Sequence, residues 1–178
     1  MLKRQMVAAA VAATGMLFSA GAFAQAYVGG TVGRSVVNTT GCSASQGCKG
    51  EANMAKLLAG YNFNENFGLE ASYADLGKVS AGSVTAKGTA IDLAAIARAE
   101  VTNGVGVFIK GGFSRTKTDG IIGDKATEAV YGLGATYSLT KQVALRAEWE
   151  TRKVQYNLTQ NGWQETQRNL SVGVQYTF

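Results

Sequence analysis

Glu148 and Glu150 stand two residues apart beside Arg146, with Glu128 one segment earlier. Paired carboxylates at such spacing could serve a hydrolase, one carboxyl donating a proton while the other accepts one. The reading the residues favour is a ladder of ion pairs, because a carboxylate removed from water needs a cation within reach. The ladder is the reading adopted, and no enzyme activity or cofactor is expected. The chain has no histidine, which removes the commonest general base and the commonest nitrogen ligand for metals. A Ser-His-Asp triad and a histidine-bound zinc are therefore excluded. No glycine-rich phosphate loop occurs between a strand and a helix, so nucleotide binding has no support. Two cysteines, Cys42 and Cys48, lie close together in the stretch Asn38–Gly50. In an oxidising compartment they are expected to pair and staple that loop; two thiols alone do not make a zinc site.

These residues sit in an exported chain. Met1–Ala24 has Lys3 and Arg4, then the apolar run Met6–Phe18, then Ala22-Phe23-Ala24. That is the order of a cleavable leader, with cutting expected after Ala24 and residues 25–178 as the single remaining domain. No uncharged run there is long enough for a spanning helix. Seventeen Lys and Arg against twelve Asp and Glu give a charge of +5, yet no aromatics interleave a dense basic stripe. Nucleic acid is not an expected partner. Proline is absent, where ordinary usage would give roughly nine.

From residue 26 onward the hydrophobicity alternates with period two, the signature of half-buried strands. Leu170, Val172, Val174, Tyr176 and Phe178 share one face against Asn169, Ser171, Gly173, Gln175 and Thr177. Val143, Leu145, Ala147 and Trp149 likewise oppose Ala144, Arg146, Glu148 and Glu150. Eight such segments are predicted. Short connections fall near Asn64–Asn66, Thr102–Gly104 and Leu139–Lys141; long ones at Asn38–Gly50, Lys78–Ala86, Lys117–Asp124 and Tyr156–Gly162. An even strand count with short turns at one end and long loops at the other is the pattern of an outer-membrane barrel. A soluble ligand-binding barrel would put the apolar face inward, and three features oppose that. The polar face carries both signs of charge in near balance (Lys56, Arg98, Lys110 and Arg146 against Glu70, Asp92, Glu128, Glu148 and Glu150), which suits a narrow lumen. Aromatics gather near strand ends on the apolar face, as interfacial girdles do. Missing proline fits a closed sheet in which every strand N–H needs a partner.

Ala26-Tyr27-Val28-Gly29-Gly30, Phe67-Gly68-Leu69-Glu70-Ala71-Ser72-Tyr73, Arg146-Ala147-Glu148 and the closing Val174-Gln175-Tyr176-Thr177-Phe178 resemble the OmpA-like and OmpX-like outer-membrane β-barrel family. The resemblance covers essentially all of residues 25–178. It implies an all-β, eight-stranded antiparallel up-and-down barrel in the outer membrane of a Gram-negative bacterium, without the peptidoglycan-binding domain of full-length OmpA. It also implies that Tyr176 and Phe178 form the signal read by the barrel-assembly machinery. Outer-membrane barrels that modify lipid A or cleave proteins look to depend on histidine, and this chain has none. Lys78, Lys87, Arg115, Lys117, Lys125, Arg152 and Lys153 are expected to form a basic rim toward lipopolysaccharide phosphates, a charge-assisted contact. A monomeric envelope protein is expected, with a narrow, porin-like lumen for ions. The alternative is an OmpX-like adhesin working through its loops.

Overall fold

The computed structural model describes residues 25–38, 48–49, 51–81, 84–119, 124–156 and 163–178. The elements in chain order are β1 (Gln25–Asn38), β2 (Cys48–Lys49), β3 (Glu51–Asn62), β4 (Phe67–Ala81), β5 (Val84–Thr102), β6 (Val105–Asp119), β7 (Asp124–Ser138), β8 (Val143–Tyr156) and β9 (Trp163–Thr177). Each long strand pairs antiparallel with its neighbours in sequence, and β1 pairs with β9 to close the sheet. The result is an eight-stranded up-and-down barrel. β2 is a two-residue spur on the outer end of β4.

Side chains settle which face is which. Leu57, Phe113, Ile109 and Leu170 are all more than 60% exposed in the bare barrel, while Lys56, Glu70, Asp92 and Glu148 are no more than 2% exposed. Apolar-out and charged-in is the inverse of a water-soluble protein, and it is what a lipid solvent requires. From Val105 to Phe113 the outward residues of β6 cover about 26 Å of strand at roughly 3.3 Å per residue. A tilt of roughly 40° reduces that to about 20 Å of height, the scale of a membrane band.

The short turns are built by local hydrogen bonds. Asn64 Oδ1 accepts from the amides of Asn66 (2.9 Å) and Phe67 (2.8 Å) between β3 and β4. Thr140 Oγ1 does the same for Gln142 (3.2 Å) and Val143 (2.9 Å) between β7 and β8. Gly104 turns β5 into β6 with φ of +79°, a backbone region costly for residues with a Cβ.

At the opposite end the strands run further than the alternation predicts. β4 continues to Ala81 and β5 begins at Val84, so the long connection expected over Lys78–Ala86 shrinks to residues 82–83. β6 runs to Asp119 and β7 starts at Asp124, leaving only residues 120–123 of the connection expected over Lys117–Asp124. Beyond the lipid an arm needs no apolar face, so ladder hydrogen bonds continue where the period-two signal fades. The leader expected over residues 1–24 and Cys42 lie outside the described residues, and only the backbone of Cys48 is described. The disulfide therefore remains an expectation.

Candidate functional site: an ion cluster across the lumen

Alternation aims every second side chain of each strand into the barrel. An eight-stranded lumen is only wide enough for side chains to meet across it. Eight charged side chains do so: Lys56 on β3, Glu70 on β4, Asp92 on β5, Lys110 on β6, and Arg146, Glu148, Glu150 and Arg152 on β8. None is more than 5% exposed. Among the described residues, four cations thus face four carboxylates.

Toward the short-turn end, Arg146 is the hub. Its guanidinium donates to Glu148 Oε2 (2.6 and 2.8 Å), lies 2.8 Å from Glu70 Oε2, and donates to Gln175 Oε1 at 3.1 Å. It also stacks over Phe108, 4.2 Å from the ring centroid, a cation–π contact made stronger by the loss of water. Glu70 is held in turn by the Tyr27 hydroxyl, which donates at 3.0 Å. In the middle tier, Lys110 lies 2.5 Å from Glu148 and 3.4 Å from Glu70, and pairs with Glu150. Lys56 pairs with Glu148 and lies 3.1 Å from Glu150. Toward the long-loop end, Arg152 donates both terminal nitrogens to Asp92 at 3.2 Å and one to Ser114 at 3.1 Å, while Ser72 donates to Asp92 at 3.1 Å.

Arg152 corrects the sequence reading, which put it on the lipopolysaccharide-facing rim. It is 1% exposed and lies inside the barrel. The reason is register: β8 extends to Tyr156, so Arg152 continues the inward series Arg146, Glu148, Glu150. The spacing of two from Glu150 was the available signal. Two other residues expected in the network stand apart from it. Arg98 is only partly buried, at the short-turn end, with its guanidinium 5.4 Å from the centre of the Tyr27 ring. Glu128 is partly exposed and makes no ion pair with any described residue. Sequence reasoning left out Tyr27, Ser72, Ser114 and Gln175, whose neutral side chains carry no charge signal.

The carboxylates at 148 and 150 are buried and paired with Lys56, Lys110, Arg146 and Arg152. The paired-carboxylate arrangement is thus a ladder in geometry. On the outer surface, Lys87, Arg115 and Lys117 are exposed, and Lys87 lies 2.9 Å from Asp75. Arg115 and Lys117 follow Phe113 on the outward face of β6, just past the apolar band. Arg34 and Arg168 are also exposed, with Arg34 lying 3.5 Å from Glu51. The side chains of Lys78, Lys125 and Lys153 lie outside the described residues. At the closing strand Tyr176 and Phe178 face outward with their rings edge to face, centroids 5.1 Å apart.

The outer membrane protein beta-barrel domain matches residues 6–178. The chain belongs to that family. Its place is accordingly the outer membrane, and the short-turn end is the periplasmic one. Neisserial surface protein A superposes with a TM-score of 0.67 at 18% identity, over 86% of this chain and 97% of that one. The N-terminal barrel of Pseudomonas aeruginosa OprF gives 0.56 at 18% identity, over 86% and 97%. Yersinia pestis Ail, in complex with the heparin analogue sucrose octasulfate, gives 0.53 at 15% identity, over 88% and 99%. At these identities the likeness is one of fold. No curated protein sequence matches the chain.

Proposed function

We propose that the protein is a non-enzymatic barrel of the cell envelope whose lumen is shut at rest by the ion cluster and conducts ions only when that cluster re-pairs. One observation carries the reading: four buried cations and four buried carboxylates, on five strands, meet across the middle of the lumen. An open pore would leave such groups in water. Planar-bilayer conductance of the folded protein tests it. Wild type should give at most rare, small openings, and Lys110→Ala and Arg146→Ala should each raise the conductance. Unchanged or lower conductance in both variants would sink the plug.

The reading includes export by the leader, a Cys42–Cys48 staple in the first long loop, and assembly through Tyr176 and Phe178. Its lipid partner is lipopolysaccharide, whose phosphates suit Arg115 and Lys117 at the outer edge of the apolar band. The second reading is an adhesin acting through the long-loop end. Two things favour it: the hairpin arms that continue past the band, and the polysulfated ligand carried by Ail. Binding of heparin to whole cells, with and without residues 39–50 and 118–124, separates the two readings. Adhesion lost on deletion supports the second and leaves the plug to be judged by conductance.

A further inference from the structure

The periplasmic mouth of the lumen holds a water-accessible cavity of about 400 Å³, floored by Arg146 and Phe108 and walled by Asn62, Ile96, Arg98 and Gln175. We infer that this vestibule is a binding site for a small organic monoanion, a carboxylate with an apolar body, entering from the periplasm with Arg98 as its anchor.

Charge balance makes the case first. The described charges of the cluster beyond the floor balance one another, and Arg98 stands outside their pairing. Among the described residues its side chain makes no ion pair, and its Nε is buried without a hydrogen-bond partner. A guanidinium presents donors in a rigid fork that fits a carboxylate with two parallel bonds. Preorganisation follows from Tyr27. Its ring lies 5.4 Å below the Arg98 guanidinium, and its hydroxyl is tied to Glu70 at 3.0 Å, so the plug itself fixes the platform. Size and lining define the rest of the ligand. A cavity of this volume falls at the small end of ligand pockets. Ile96 and Phe108 offer an apolar contact, while Gln175 offers a polar one. Glu65 and Glu100 stand exposed among the residues lining the cavity, with Lys141. One guanidinium neutralises one charge and those carboxylates repel a second, so a monocarboxylate is favoured over a phosphate or a dicarboxylate.

The test uses folded protein purified from outer membranes in detergent, labelled with nitrogen-15, and benzoate as the probe. Titration should shift the Arg98 Nε–Hε resonance and the Gln175 side-chain amide saturably. Benzamide, the neutral isostere, should bind at least tenfold more weakly, and inorganic phosphate likewise. Arg98→Gln should lose the Gln175 shift, whereas Arg115→Gln on the outer face should keep it. Equal binding of benzamide to wild type, which needs no variant, would overturn the site. So would a benzoate shift that never saturates or that survives in Arg98→Gln. A stronger response to phosphate would overturn the choice of a monocarboxylate. None of these results depends on whether the lumen conducts.

Discussion

Lys110→Met is the substitution that asks most of the ion cluster. Lys110 lies 2.5 Å from Glu148 and 3.4 Å from Glu70, pairs also with Glu150, and is 5% exposed. Methionine keeps the volume and removes the charge, leaving three buried cations against four buried carboxylates. Deleting one member of a buried ion pair costs about 3–5 kcal/mol. Lys56 and Arg146 still reach the same carboxylates, so the lower end, about 3 kcal/mol, is expected. Glu150→Gln restores the balance at three against three with almost no change in shape. The double variant should therefore be more stable than Lys110→Met alone by at least about 1.5 kcal/mol, a coupling that independent sites do not show. Equilibrium unfolding in urea, with the protein in lipid vesicles, gives both numbers. The folded fraction can be read from the mobility of unboiled samples and from Trp149, which faces the lipid. A single-variant loss below about 1 kcal/mol, or a double variant equal to the sum of its parts, would refute the idea that these charges act as one unit.

Four further outcomes follow from the same geometry. Arg152→Leu should cost about 3 kcal/mol by stranding Asp92, whereas Arg115→Gln on the outer face should change stability by less than about 0.5 kcal/mol; similar losses in the two would return Arg152 to the rim. Leu133→Arg, outward and 53% exposed in the bare barrel, should cost about 2–4 kcal/mol in lipid, measured by the same unfolding. A Cβ at Gly60 would collide with the Tyr27 ring, so Gly60→Ala should displace that ring from Glu70 and weaken benzoate binding in the vestibule; unchanged affinity would argue against Tyr27 as its platform. Removing Phe178 should lower the amount of assembled barrel in cells while leaving refolding in vitro near normal, as comparison of the two heat-modified gel patterns would reveal.

Much of this was legible in the sequence because lipid imposes a strict rule. Each outward residue must be apolar, so the period-two pattern in 143–150 or 169–178 assigns every side chain to a face. Charges at 56, 70, 92, 110, 146, 148 and 150 could then only be inside. What failed to show was whatever the rule does not govern. Arg152 lies close to the loop, where an arginine reads as loop until the strand is known to continue. The arms up to Ala81 and from Val84 continue the backbone ladder, but their short run of small and polar residues reads as a loop from sequence. Tyr27 alternates correctly, but nothing local says that its hydroxyl meets a carboxylate 43 residues away. Arg98 and Glu128 share the inward face with the cluster but differ in height along the barrel. Height depends on stagger between strands, which alternation does not encode.

That stagger is where the cluster does more than close a lumen. A one-residue slip of a strand turns its whole inward set outward. For β8 the slip would send Arg146 and Arg152 into lipid, each at up to about 2–4 kcal/mol depending on its depth, before the carboxylates are counted. A slip of two keeps the faces but moves Arg146 off Glu70 and Arg152 off Asp92, partners 76 and 60 residues distant. Charges placed in the lumen therefore penalise both kinds of error, the odd slip through the lipid and the even slip through lost ion pairs. An apolar lumen of equal volume would tolerate both. In a barrel whose outer face is uniformly apolar and says little about register, the ion cluster is what makes one alignment of the eight strands the stable one.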